Sequence, residues 1–199
     1  MPVLFVGHGS PMNAIEDNYY TKTWRSLAEK FPKPEVILAI SAHWYGKGTK
    51  IMNEEKPKTI YDMYGFPQEL YQITYNVPGS PSMAKISKEL ISRETKYDNT
   101  WGIDHGTWSV LIHMYPKKDI PVFQISIDAE ASPSEHYAIG KELQALREKG
   151  ALIFCSGNIV HNLRMIDWNK GNKGFDWAYE FDEDIYENIV NKNHDNILK

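Results

Sequence analysis

The stretch VILAISAHW, residues 36–44, joins a short apolar run to a histidine. The run is rich in β-branched residues, which is typical of a strand buried on both faces of a parallel sheet. Ser41 and Ala42 then lead to His43, so this imidazole follows the carboxyl end of the predicted strand. The stretch therefore predicts a buried strand that presents His43 at one edge of a sheet.

The same alternation of short apolar runs and longer amphipathic stretches extends along the chain. Predicted strands cover residues 3–6, 36–40, 122–127 and 152–155, and predicted helices cover residues 21–30, 82–94, 108–115 and 134–149. Residues 45–81, which are rich in Gly, Pro and Tyr, are interpreted as loops that form one wall of a cleft, and an acidic helix follows Phe175. Strands that alternate with helices indicate an α/β fold, with a central, mostly parallel sheet flanked by helices.

Length and composition narrow the classes of protein that this chain can represent. A chain of 199 residues suits a single domain over residues 1–199, and its net charge of -4 offers no basic surface for nucleic acid. The sequence has no long apolar run and no basic leader, so we expect neither a membrane span nor a signal peptide. The one cysteine, Cys155, cannot form an internal disulfide or a cysteine-based zinc cluster. We expect a cytoplasmic protein.

Three histidines follow predicted strands at equivalent places. They are His8, His43 and His161, each within a few residues of a strand end. In a parallel sheet the strand ends that precede helices share one edge, where ligands bind, so we expect these imidazoles to converge and the active site to lie there. Neutral imidazole binds zinc or divalent iron, and it is also the usual general base near neutral pH. A single such histidine is more often structural, but the repeated placement favours function.

A fourth histidine, His105, lies in a predicted turn before a helix that begins near Trp108. Asp104 beside it either orients the His105 ring or caps the helix. For the remaining histidines we expect structural or solvated positions: His113, His136 and His194. Cys155 lies within an apolar run and is interpreted as an inert thiol. Aromatic residues near these motifs either line a pocket for a flat substrate or pack in the core: Trp44, Trp101 and Trp108.

Six motifs in order along nearly the whole chain resemble one enzyme family. They are GHGSPM, SAHW, GFPQELY, YNVPGSP, WGIDHGTWSVL and SGNIVHNLR. Together they resemble the class III extradiol ring-cleavage dioxygenases, in the branch that acts on DOPA. The resemblance implies an oxidoreductase that opens a catechol ring beside its two hydroxyls and incorporates both atoms of molecular oxygen.

The resemblance also implies roles for the histidines. His8 and His43 match two metal ligands of the family, and one divalent ion is implied, Fe(II) for dioxygenase activity or Zn(II) in the same site. His161 matches a residue described as an acid–base group or as a further ligand. His105 matches the active-site histidine of the DHG motif. The family carries another metal-binding residue in a C-terminal segment, which we expect to be lacking here, because the sequence ends at NKNHDNILK.

Two other functions remain open at the level of sequence. Histidines at strand ends could hold zinc that activates water for hydrolysis of an ester or amide. A chain without the last ligand would also fit a non-catalytic binding member of the same superfamily. Oxygen consumption in the presence of a catechol separates the dioxygenase from both alternatives.

Overall fold

The computed structural model describes residues 1–167 and 173–198. The chain forms two compact units, Met1–Gly157 and Asn158–Lys199. The expectation of a single domain over residues 1–199 stays a prediction. Each unit is described by itself below.

The first unit is built around a parallel sheet. The strands of this unit are β1 (Val3–Val6), β2 (Val36–Ser41), β3 (Tyr45–Gly46), β4 (Thr49–Ile51), β5 (Thr95–Tyr97), β6 (Val122–Gln124), β7 (Ile127–Asp128) and β8 (Ala151–Ser156). Four of them form the central sheet in the order β1-β8-β2-β6, and all three pairings are parallel. Two short parallel pairs, β3 with β7 and β4 with β5, lie outside it.

Helices flank this sheet, as the alternation of patterns predicts. They are α1 (Tyr19–Ala28), α2 (Pro81–Leu90), α3 (His105–Met114) and α4 (Pro133–Leu143). Short 3-10 helices also occur in this unit, at Pro11–Ala14, Gln68–Gln72 and Gln144–Lys149. The predicted α/β fold with a parallel central sheet is therefore confirmed.

The register of the sheet places three strand ends at one level. Ser156, the last residue of β8, pairs with Val6 at the end of β1 and with Ser41 at the end of β2. The segments that leave β1 and β2, which carry His8 and His43, therefore start side by side. Below this edge the core is fully buried around Leu38 and Phe154.

Some predicted boundaries differ from the observed ones for local reasons. The helix predicted over residues 82–94 ends at Leu90, and β5 follows it with the β-favouring residues Thr95 and Tyr97. The strand predicted over residues 122–127 divides into β6 and β7, because the partner changes along it: β6 pairs with β2, and β7 pairs with β3. The helix predicted to begin near Trp108 begins instead at His105.

The second unit is mainly helical in its described part. It contains the acidic helix α5 (Asp176–Val190), the short helix α6 (His194–Ile197) and a 3-10 helix at Leu163–Met165. Large apolar side chains of α5 are exposed, among them Trp177, Tyr179, Phe181 and Tyr186. Within residues 1–167 and 173–198, no helix is both long and apolar enough to cross a bilayer.

Candidate metal centre

Three histidines of the first unit converge at the carboxyl edge of the sheet. One ring nitrogen each of His8, His43 and His105 lies within 4.8 Å of the other two. His8 and His105 are buried, with 3% and 5% of their surface exposed, and His43 is half-buried. This group contains two of the three histidines that the strand-end pattern selects, together with His105 from helix α3.

A tight loop after β1 places His8. Gly9 has a φ of 63°, in the left-handed region that glycine adopts without steric strain. The side chain of Asn13 then reaches back and donates a hydrogen bond to the carbonyl of His8, at 3.0 Å. The sequence GHGSPMN therefore folds back on itself and holds the backbone of His8 in place.

The neighbouring strand β8 determines which nitrogen of His8 carries a proton. Ser156 Oγ lies 2.8 Å from Nδ1 of His8, and the same hydroxyl donates its hydrogen to the carbonyl of Gly106. A hydroxyl has one hydrogen to donate, so toward His8 it acts as an acceptor. His8 therefore carries its proton on Nδ1, and Nε2 presents a lone pair.

His43 faces His8 across the site. The two Nε2 atoms are 3.1 Å apart, and Nδ1 of His43 lies 3.3 Å from Oδ2 of Asp62. The backbone N–H of His43 bonds to the hydroxyl of Ser41 at the end of β2. The outer nitrogen of each ring therefore faces an oxygen of the protein, while the inner nitrogens face each other.

His105 joins the group because it begins helix α3. Its ring centroid is 3.9 Å from that of His43, and its Nδ1 lies 3.0 Å from Oδ2 of Asp62. The helix starts here because Asp104 is its N-cap, with Oδ1 accepting a hydrogen bond from the backbone N–H of Thr107. Between the two sequence-based alternatives for Asp104, the contacts therefore identify the cap, and Asp62 is the carboxylate beside the ring.

Asp62 is ionised at neutral pH. Burial would raise the pKa of its carboxyl, but the contacts and charge of His105, together with the charge of His43, outweigh burial and hold that pKa below its ordinary value. The site therefore combines three imidazoles with one fixed negative charge behind two of them.

The remaining histidines are His113 and His136 of the first unit and His161 and His194 of the second. His161 belongs to the second unit and has an exposed side chain, and its role as ligand or acid–base group stays a prediction. His113 bonds to the carbonyl of Asn13, His136 bonds to that of Asp128, and His194 is exposed. The surroundings of His113, His136 and His194 therefore agree with the prediction that these residues are structural or solvated.

The contacts of Cys155 and of the three tryptophans are mainly those of packed structural residues. Burial raises the pKa of the Cys155 thiol to about 11, so it is protonated and unreactive at neutral pH. Trp108 is fully buried and donates its indole N–H to the carbonyl of Ile60. Trp44 and Trp101 stack with their ring planes 6° apart, and Trp101 also donates to Asp104.

The sequence did not point to two residues that contact these imidazoles, Ser156 and Asp62. Ser156 ends a predicted strand in the same way as the selected histidines, so a search for every polar side chain at a strand end would have found it. Asp62 lies in the region interpreted as loops, where no periodic pattern marks it.

Comparison with known proteins places the chain in a family. The family model described as the catalytic LigB subunit of aromatic ring-opening dioxygenase matches residues 3–199. A 4,5-DOPA dioxygenase extradiol of Escherichia coli K12 is 46% identical over 96% of this chain and 71% of the relative. A protein of the same name from Beta vulgaris is 40% identical over 79% of this chain and 61% of the relative.

A solved structure agrees with this assignment. The crystal structure of an uncharacterised protein from Escherichia coli K12 superimposes with a TM-score of 0.81 at 42% identity, and the match covers 94% of this chain and 72% of that one. The fold, the histidine group and the sequence similarity all support the same family assignment. The chain belongs to the LigB family of aromatic ring-opening dioxygenases, which are metal-dependent extradiol oxidoreductases.

Proposed function

We propose that this chain holds one divalent metal ion through His8 and His43 and opens the ring of a catechol of the DOPA type. The observation that carries the proposal is the pair of Nε2 atoms 3.1 Å apart, each on a ring whose Nδ1 faces a protein oxygen. The names of the relatives from Escherichia coli and Beta vulgaris support DOPA as the substrate.

The donor set fits a metal ion. Bonds of about 2.0–2.1 Å from imidazole nitrogen to zinc place neighbouring ligands of one ion roughly 3 to 3.5 Å apart, which is the separation of these two nitrogens. Two lone pairs that face each other at this distance would repel without a cation between them. Imidazole suits both iron and zinc, and we assign Fe(II) to the active enzyme and Zn(II) as a redox-inert occupant.

Different residues of the chain are assigned different roles in the reaction. When bound, the divalent ion acts as a Lewis acid that lowers the pKa of a catechol hydroxyl and, as iron, provides the redox activity that oxygen chemistry needs. His105, in the same group, is assigned as the acid–base residue that accepts a proton from the catechol and later returns it. His161 is assigned a second acid–base role or a further ligand position.

The overall reaction adds both atoms of oxygen to the substrate. One catechol and one molecule of oxygen give one ring-opened semialdehyde, with a carbon–carbon bond beside the diol broken. Burial of His8 and His105 keeps bulk water from these two rings. The exposed part of His43 marks the side from which a substrate would approach.

Oxygen uptake tests the proposed reaction. The protein is reconstituted with Fe(II) without air, and oxygen consumption is followed with DOPA, a caffeate-like catechol and simple catechol. We expect one oxygen consumed per catechol and a yellow product, with DOPA among the substrates. A folded, iron-loaded protein that consumes no oxygen with any of them would contradict the proposal, and a zinc hydrolase would give that result.

Metal content tests the assigned ligands. His8→Ala and His43→Ala each remove one imidazole of the facing pair, so we expect both variants to lose stoichiometric Fe(II) or Zn(II). His136→Ala is the matched control, because His136 contacts the backbone of Asp128, and it should keep its metal. Unchanged metal content in either ligand variant would refute that assignment.

The role of His161 needs a separate variant. If His161 is an acid–base residue, His161→Ala should retain most of its metal and lose turnover. If the variant loses its metal instead, His161 is a ligand. Metal analysis and oxygen uptake on the same preparation separate the two roles.

A further inference from the structure

One carboxylate oxygen lies beside two rings of the metal centre. Oδ2 of Asp62 is 3.0 Å from Nδ1 of His105 and 3.3 Å from Nδ1 of His43. The Asp62 side chain is only 12% exposed, so water competes little for this oxygen. The third ring, that of His8, uses the hydroxyl of Ser156 instead.

The backbone holds Asp62 in a fixed place. Its other oxygen, Oδ1, accepts a hydrogen bond from the backbone N–H of His105, at 2.9 Å. Two residues earlier, the backbone N–H of Ile60 bonds to the carbonyl of Ile103, and the carbonyl of Ile60 accepts from the indole of Trp108. The carboxylate is therefore tied to the start of helix α3 through both backbone and side chain, and the two rings must adapt to it.

We propose that Asp62 is a positioning residue that sets the tautomer and orientation of His43 and His105 together. Neither contact with Oδ2 has hydrogen-bond geometry, but a ring nitrogen that turned its lone pair toward this negative oxygen would be repelled, so both rings favour the tautomer with the proton on Nδ1. Their Nε2 atoms then present lone pairs, as Nε2 of His8 does under the control of Ser156. This inference deepens the proposed function, on which its metal-binding consequence rests.

A shared oxygen has a consequence that two separate partners would not have. Loss of the Asp62 carboxylate removes the Nδ1 partner of His43 and of His105 in one step and leaves the Ser156 partner of His8 in place. Removing the side chain that contacts the outer nitrogen of a metal-binding histidine typically lowers metal affinity by about 10–100-fold. Asp62 therefore couples a metal ligand to the acid–base residue through one atom.

Imidazole nitrogen NMR of the metal-free wild-type protein tests the tautomers directly. At mildly alkaline pH we expect Nδ1 of His43 and Nδ1 of His105 each to carry a proton. If Nδ1 of either ring carries no proton, the proposal is wrong, whatever any variant does. This readout depends on neither metal nor activity.

Asp62→Asn is the decisive variant. In this variant the amide oxygen should still accept the hydrogen bond from the backbone N–H of His105. The amide NH2 group then takes the place of Oδ2 and can donate to the ring nitrogens. We expect the protons of His43 and His105 to move toward Nε2 while the proton of His8 stays on Nδ1, and Zn(II) affinity to fall roughly 10–100-fold in a chelator competition. Circular dichroism verifies that the variant is folded.

Ser156→Ala is the matched control, because of the three rings it removes the Nδ1 partner of His8 only; it also removes the hydrogen bond to the carbonyl of Gly106. In this variant His8 should lose its preference for the proton on Nδ1, while His43 and His105 should keep theirs on Nδ1. A folded Asp62→Asn protein with unchanged tautomers and Zn(II) affinity would overturn the positioning role. If the tautomers respond as expected but the wild-type protein consumes no oxygen with catechols, Asp62 keeps its role and the proposed function fails.

Discussion

Gly106 shows how one missing side chain lets helix α3 approach the end of β2. A Cβ at this position would lie 2.7 Å from Oγ of Ser41 and 2.8 Å from Cδ2 of His43, both too close for real contacts. The carbonyl of Gly106 also accepts the hydroxyl hydrogen of Ser156. The glycine therefore sets the distance between the helix that carries His105 and the strand end that carries His43.

Alanine at position 106 should favour the helix locally and still damage the site. Gly→Ala in a helix interior stabilises by about 0.5–1 kcal/mol in the absence of clashes. In Gly106→Ala the new methyl group displaces His43, so we expect Zn(II) affinity to fall roughly tenfold or more. Chelator competition measures this fall.

Gly140→Ala provides the matched control for that substitution. Gly140 lies in α4, and a Cβ there would meet nothing within 4 Å. This variant should raise the free energy of unfolding by about 0.5–1 kcal/mol and leave Zn(II) affinity unchanged. Equal Zn(II) affinity in both alanine variants would refute the close approach at Gly106.

At the scale of elements, the pairing of β4 with β5 is supported by an ion pair. Lys50 on β4 lies 2.8 Å from the carboxylate of Asp98, which directly follows β5. The hydrogen bond from Lys50, followed by that from Thr100, lowers the pKa of Asp98 to about 2, from an ordinary value of 3.8. The backbone N–H of Asp98 also bonds to the carbonyl of Ile51.

The lowered pKa predicts a pH dependence of stability. Because the carboxylate binds protons less readily when folded, its stabilisation is fully present above pH 3.8 and is lost as the pH falls through about 2. Asp98→Asn should be less stable than the wild-type protein at pH 5, and this difference should shrink toward pH 2. Urea unfolding at both pH values measures it. A difference that stays constant with pH would contradict the pairing.

At the scale of the whole molecule, the core belongs to the first unit. Within residues 1–167 and 173–198, every buried hydrophobic side chain lies before Gly157. Leu38 occupies the middle of this core, on a strand with a partner on each side. The edge strand β1 is different, because Val3 remains 51% exposed.

This distribution of buried side chains predicts that two substitutions lower the free energy of unfolding by different amounts. Leu38→Ala should lower the free energy of unfolding by about 2–5 kcal/mol, because it leaves a cavity in a fully packed layer. Val3→Ala should change it by no more than about 0.5 kcal/mol. Denaturant unfolding followed by tryptophan fluorescence compares the two. A similar loss in both variants would show that the core does not centre on β2.

The alternation of patterns was sufficient to predict the parallel sheet and the flanking helices, because strand and helix periods differ strongly. The boundaries that failed depend on tertiary contacts. The start of α3 at His105 requires Asp104 as cap, and Asp104 also accepts a hydrogen bond from Gln124, a residue of β6. A local pattern does not contain this contact.

The sequence by itself determined that His8 and His43 meet, since the carboxyl ends of parallel strands share one edge of a sheet. It also pointed to ring-opening chemistry through its motifs. Only the tertiary structure decided which atoms of these rings face inward. Ring orientation depends on partners distant in sequence, as with Ser156 for His8 and Asp62 for His105, separated by 148 and 43 positions. Such contacts form only once the chain has folded.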